Sequence, residues 1–229
     1  MVILITGASS GIGLASALFL KNQGHKVYGT SRKASMGETR NDIVYLKMDI
    51  TQEKSIKEAI DFLILKEEKI DVLVNNAGIG MVGSVEDSSV NEMQEHFDTN
   101  YYGAVRVMQE VLPHMRNRSH GKIINISSLA GLFGLPYRGV YSAAKAAFNL
   151  LTESMRMELL KFNIHAVVLC PGDFKTKIKT SRIRVKKGET SIYKEEYNKV
   201  YDLLNEELHS SGDPIEVGKL IQKIVKKKS

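Results

Sequence analysis

The chain has 229 residues, 43% of them hydrophobic and 25% charged, with a formal net charge of +6; this suffices for a sizeable core and fits one domain over 1–229 better than two small ones. The single Cys170 excludes an intrachain disulfide and the six histidines lack metal-ligand spacing, so no metal is expected and a reducing, cytoplasmic setting is the default. The basic residues are spread out apart from a terminal KKK and a denser run near 175–187, which argues against a nucleic-acid partner, and no apolar run spans a bilayer, which argues against a membrane.

In chain order, β-branched runs predict strands at 2–6 (VILIT), 26–30 (KVYGT), 43–48 (IVYLKM), 71–75 (DVLVN), 122–127 (KIINIS) and 165–170 (HAVVLC). Helical patterns lie between them, at 13–24, 54–68, 90–113 and 141–162. Such alternation predicts βαβ units, hence an α/β fold with a doubly wound parallel sheet and helices on both faces. Ligands of such sheets bind beyond the carboxyl ends of the strands.

The first strand runs directly into GASSGIG and then a helix. Gly7, Gly11 and Gly13 permit a tight turn, close approach of the backbone to a pyrophosphate, and close packing of helix on strand. Their spacing is G-x-x-x-G-x-G, and alone they would equally serve to shape a strand-to-helix turn. At the end of the second strand, where an NAD site places an acid on the ribose, stand Thr30, Ser31, Arg32 and Lys33. Arg32, with Ser10 or Ser31, suits a 2′-phosphate and points to NADP(H), with NAD(H) the alternative; Arg32 and Lys33 also read as ordinary solvated loop charges.

Tyr141 and Lys145 stand four residues apart in a predicted helix and so share a face. An ammonium beside a phenol favours the phenolate and would bring the tyrosine toward use as a proton donor and acceptor near neutral pH. A solvated helix face is the bland reading of the same spacing. Cys170, just before Pro171, reads as a small packed side chain.

With TGASSGIG at 6–13, NNAG at 75–78, the asparagine of FDTNYYG, ISS ahead of YSAAK, and PG at 171–172, the chain resembles the short-chain dehydrogenase/reductase family from residue 2 to about 176. GTSRK, GLPYRGVYSAAK and DPIEVGKLI look like its 17β-hydroxysteroid and retinol dehydrogenase-like branch. The resemblance implies a single-domain Rossmann fold and a catalytic set of Asn100, Ser128, Tyr141 and Lys145. It places the cofactor on Thr6, Gly7, Ser9, Ser10, Gly11, Ile12 and Gly13, beside Arg32, Asp49 and Ile50, and on Asn75, Asn76, Ala77 and Gly78 of the NNAG turn. Pro171, Gly172, Phe174 and Thr176, together with Tyr141 and Lys145, complete that set. Structural readings stand beside these: Ser128 as a turn former, Asn100 as a polar residue inside a helix, Asp49 as a helix cap.

The implied activity is hydride transfer between NADP(H) and a ketone, aldehyde or secondary alcohol, Tyr141 acting as general acid and base. Reduction of a carrier-bound 3-oxoacyl group and a non-catalytic dinucleotide-sensing module are the alternatives. Met81, Leu135, Tyr137 and Phe174 flank the motifs and are candidates for a substrate pocket. A flap is implied over about 173–210. Its run from Lys175 to Lys187 holds lysines and arginines without an acid, which suits an anionic substrate or the cofactor phosphates, or else a solvated loop. The chain stops after DPIEVGKLIQKIVKKKS, where many relatives continue into a further strand, so the sheet would lack that strand or the chain is shortened. The helices near 91–115 and 141–162 resemble those that pair in family dimers, which implies a homodimer or homotetramer.

Overall fold

The computed structural model of the chain describes residues 1–174 and 182–227, with backbone alone for 205–210. Strand β1 (Val2–Ile5) is buried at every position and pairs in parallel with β2 (Lys26–Ser31) on one side and β5 (Val72–Asn75) on the other. Beyond β2 lie β4 (Ile43–Lys47) and the edge strand β3 (Glu38–Arg40); beyond β5 lie β7 (Gly121–Ile126) and β8 (Ile164–Leu169). Every pairing is parallel except that of β3 with β4. Chain order reverses about β1 and β5, so the ligand crevice of this doubly wound sheet is expected at their carboxyl ends.

Alternate strand residues feed the two faces. Ile3, Ile5, Val72, Val74, Ile124 and Ile126 pack with Ala17 and Leu20 of α1 (Gly11–Asn22) and with Val217, Ile221 and Val225 of α7 (Ile215–Lys226). Leu4, Leu46, Leu73 and Ile123 pack on the other face. They meet α2 (Glu53–Glu67), α4 (Gly103–Asn117) and α5 (Gly139–Glu158), whose buried residues recur at three- and four-residue spacing, as in Ile56, Ala59, Ile60 and Leu63. Gly218 lets α7 lie close on α1, since a Cβ there would meet the Ser16 Cα at 3.1 Å.

The predicted strands fall within about one residue of those observed, and three features differ from expectation. Strand β3 escaped because ETR is short and polar; Asn41 and Asp42, both at positive φ, make the tight hairpin that joins it to β4. The helix predicted over 90–113 is α3 (Val90–Phe97) and α4, separated by a wider turn over Asp98–Tyr102 with π-type bonding. Met81–Val82 (β6) and Ile183–Arg184 (β9) form a second, two-stranded parallel sheet that ties the segment after β5 to the segment after β8. Of the predicted flap, residues 175–181 lie outside the described residues; the rest includes β9 and α6 (Lys194–Ser210).

Candidate active site

A cleft of about 710 Å³ opens at the carboxyl ends of β1, β2, β5 and β7. Its inner end is the turn from β1 into α1. Gly7 (φ +66) and Gly11 (φ +55) occupy the left-handed region that a side chain strains. A Cβ on Gly13 would lie 2.4 Å from the Gly7 carbonyl oxygen and 2.5 Å from Asn76 Nδ2, so only glycine lets α1 start so close to the sheet. The Thr6 hydroxyl accepts from the backbone N–H groups of Asn76 and Ala77, both at 3.0 Å, and Asn76 Nδ2 donates to the Thr6 and Gly7 carbonyls at 2.9 and 3.2 Å. Ser10, at the N-cap of α1, makes no side-chain bond to the first turn. The amides of that turn and the positive end of the helix dipole face the cleft, which fits a dinucleotide pyrophosphate.

Ser128 begins a short 3₁₀ turn after β7: its Oγ accepts from Ala130 N at 3.2 Å, and it stands near enough to the Tyr141 phenol to favour the phenolate. Tyr141 and Lys145 lie one turn apart on the buried face of α5. Lys145 Nζ donates to the Ile126 carbonyl at 2.9 Å and sits 6.0 Å from the centre of the Tyr141 ring. The wide turn aims Asn100 at the chain after the NNAG segment, where its Oδ1 accepts from Ile79 N at 3.1 Å and its Nδ2 donates to Ile79 O at 3.0 Å. Such turns cluster at functional positions. Burial pushes the Tyr141 phenol up; the neighbouring Ser128 and the Arg138 and Arg182 guanidiniums pull it back, while Asp173 adds to the rise. Burial also lowers Lys145, to about 8, with Cys170 opposing.

All four residues of the implied catalytic set line the cleft, as do Gly7, Ser9, Ser10, Gly11, Ile12, Arg32, Asp49, Ile50, Asn76, Ala77, Gly78, Pro171, Gly172 and Phe174. Others are placed differently. Thr6 and Gly13 act from behind, shaping the turn. Asn75 is buried within the sheet, where its Nδ2 donates to Asn125 Oδ1 at 2.9 Å and Asn125 donates on to Thr152 Oγ1 at 2.9 Å, so its side chain supports the NNAG turn from behind the cleft. Asp49 lines the cleft while its carboxylate accepts from the N–H and hydroxyl of Thr51. Thr176 lies outside the described residues.

Of the pocket candidates, Met81 and Phe174 line the cleft. Leu135 and Tyr137 do not, for Tyr137 turns with φ +58 toward the small cluster of Val82, Tyr197 and Leu204. Lys145 is engaged by the Ile126 carbonyl and is itself disfavoured as a cation by burial, while the groups that favour the Tyr141 phenolate against burial are Ser128 and the two arginines. Arg138 and His96 were missed by the sequence reading. His96 is fully buried, with its ring edge-on to Tyr141 at 5.8 Å and its Nε2 2.9 Å from Asn100 Nδ2. His96 stands in no quoted motif, and Arg138, though inside the GLPYRGVYSAAK segment, was given no role there; their sequence signal is nearness to Asn100 and Tyr141.

Among the described residues no helix is long and apolar enough to cross a membrane, and no group of His, Cys, Asp or Glu is placed to hold a metal. The family model described as short chain dehydrogenase matches residues 1–186. A 3-ketodihydrosphingosine reductase of Bacteroides thetaiotaomicron is 39% identical over 229 residues, covering 100% of this chain and 84% of that protein. Retinol dehydrogenase 8 of Bos taurus is 34% identical over 245 residues, covering 97% and 77%. The solved structure of ElxO with NADP bound superposes with a TM-score of 0.80 at 26% identity, covering 100% of this chain and 92% of that one. With a doubly wound sheet, a glycine turn at the end of β1 and a match over most of its length, the chain belongs to the short-chain dehydrogenase family of nicotinamide-dependent oxidoreductases.

Proposed function

We propose that the chain is an NADP(H)-dependent oxidoreductase that interconverts a ketone or aldehyde with its alcohol, Tyr141 being the general acid and base. The observation that carries this reading is the convergence of Ser128, Tyr141, Lys145 and Asn100 on one cleft with the glycine turn. The nicotinamide, when bound, supplies or accepts the hydride. Ser128 and Tyr141, neighbours on the cleft, present two hydroxyls to one substrate oxygen, where Ser128 stabilises developing charge and Tyr141 gives the proton in reduction and takes it back in oxidation. Lys145 is placed to hold the ribose and to exchange protons behind Tyr141. Asn100 holds the backbone at Ile79 that borders the site.

Arg32 at the end of β2, with Ser10 and Ser31 also on the cleft, supports a 2′-phosphate and so NADP(H) over NAD(H). The ElxO complex with NADP is in keeping with this preference. A small-molecule substrate is read as entering the same cleft beside Met81 and Phe174, which line it. Exposed Tyr102, Leu150, Met157 and Leu160 support pairing of copies through the α4 and α5 side of the molecule. Replacing Tyr141 with Phe tests the mechanism: kcat for NADPH-dependent ketone reduction should fall at least about a hundredfold, as expected for loss of a general acid, with NADPH binding little changed. A variant that kept the wild-type kcat would exclude the role given to Tyr141.

A further inference from the structure

His96 lies in the last turn of α3, four residues before Asn100, and is fully buried behind the cleft rather than on it. Three acceptors surround the Asn100 carboxamide nitrogen: the Ile79 carbonyl at 3.0 Å, the His96 carbonyl at 3.1 Å and the His96 Nε2 at 2.9 Å. The Ile79 N–H, donating to Oδ1 at 3.1 Å, fixes which end of the carboxamide is which. Asn100 and Ile79 both line the cleft, so His96 backs a piece of its wall. That wall has no slack. A Cβ on Gly78 would lie 2.6 Å from Asn100 Oδ1 and 3.8 Å from Lys145 Nζ, so backbone, carboxamide and ammonium meet at one point. The imidazole also lies edge-on to the Tyr141 ring at 5.8 Å.

An imidazole is an unfavourable way to fill this space. Burial works against its charge, the nearby Lys145 adds to that, and its Nδ1 finds no hydrogen-bond partner among the described residues. Asn100 Nδ2 carries two hydrogens, and two carbonyls stand within reach of them, so loss of the His96 Nε2 would leave no buried donor stranded. An apolar ring of similar shape would serve the core as well or better. What the imidazole alone supplies is a third acceptor, carried on a helix, that restricts how the carboxamide turns.

We infer that His96 is a positioning residue for the reaction: its Nε2 holds the Asn100 carboxamide against the backbone of Gly78 and Ile79, and so fixes the wall beside which Tyr141 and Lys145 act. The inference rests on the carbonyl-reducing reading of the cleft. His96 acts through Asn100 and takes no part in hydride or proton transfer. A displacement of about 1 Å at a site can cost about a hundredfold in rate, and loosening one of three holds on Asn100 is expected to cost about tenfold.

The test compares His96→Phe, which keeps a ring against Tyr141 and removes the acceptor, with His96→Gln, which returns an acceptor, and with Asn100→Ala alone and combined with His96→Phe. Each is assayed near neutral pH for NADPH oxidation with whichever of cyclohexanone, acetophenone and ethyl acetoacetate the wild type reduces fastest. His96→Phe should lower kcat by about tenfold, with KM for NADPH unchanged and Tm unchanged or raised, and His96→Gln should recover part of the loss. In the Asn100→Ala background the His96→Phe change should cost less than about twofold, because the residue it acts through is gone. Wild-type kcat in His96→Phe, a His96→Gln enzyme no faster than His96→Phe, or losses that multiply in the double variant would overturn the inference. So would a fall in kcat matched by falls in Tm and NADPH affinity, which would mark a structural role alone. If no ketone consumes NADPH, the carbonyl-reducing reading fails, and the hold on Asn100 is judged by hydrogen exchange at the Ile79 amide. Faster exchange in His96→Phe that is slowed again in His96→Gln upholds the hold, and unchanged exchange overturns it.

Discussion

His96 is the buried titratable group closest to the reacting residues that takes no part in the proposed proton transfer. The Ile79 N–H fixes Asn100 Oδ1 as acceptor, so Asn100 Nδ2 is the donor facing His96 Nε2, and that nitrogen is assigned as unprotonated. Burial lowers the His96 pKa to about 4; the Ile79 carbonyl opposes the shift and the Lys145 charge adds to it. Because the folded value lies below the unfolded 6.5, the unfolded chain binds the extra proton first as pH falls. Stability tied to this residue is complete above about pH 6.5 and is lost as the pH drops toward 4. Urea unfolding at pH 7 and 4.5 should show the wild type losing about 2–3 kcal/mol more than His96→Leu. Equal losses in the two proteins would refute the assignment. Asn100, Ser128, Tyr141 and Lys145 were legible in the sequence because each stands in a short local pattern. His96 and Arg138 were not, because what gives them meaning is the fold that lays them against Asn100 and Tyr141.

At the level of elements, helix α7 depends on a side chain from the far end of the sheet. Lys122, at the start of β7, is buried, and its ammonium donates to the Ile224, Val225 and Lys227 carbonyls at 3.0, 3.1 and 2.5 Å. These are among the carbonyls that a helix leaves without partners at its C-terminus, so one cation satisfies the end of α7 and complements its dipole. Lys122→Met keeps the stem and removes the donors. It should cost roughly 2 kcal/mol and lower Tm by about 4–8 °C. An unchanged Tm would show that water replaces the ammonium without loss. Hydrophobic periodicity was enough to locate the main strands and the helix at 54–68. It could not reveal that Lys122 caps a helix about a hundred residues away, that the pattern over 90–113 carries a wide turn at Asn100, or that β6 and β9 pair, since two-residue strands leave no period to read.

For the molecule as a whole, the cleft joins the two halves of the sheet: the glycine turn, Arg32 and Asp49 come from the β1–β4 half, while Ser128, Tyr141 and Lys145 come from β7 and α5. A dinucleotide reaching from Arg32 to Tyr141 would bind only the folded chain and so stabilise it as a unit, by about 2.7 kcal/mol at a concentration a hundred times Kd. For a chain of this size that corresponds to a rise in Tm of about 5–10 °C. Arg32 is exposed at the cleft edge, so changing it alters the charge that meets a 2′-phosphate without opening the core. In the wild type NADPH should raise Tm more than NADH at equal concentration. In Arg32→Asp the order should reverse, since a carboxylate repels the phosphate and accepts from a free 2′-hydroxyl. Identical shifts for the two cofactors in both proteins would remove Arg32 from the cofactor site while leaving the proton chemistry at Tyr141 to stand on its own test.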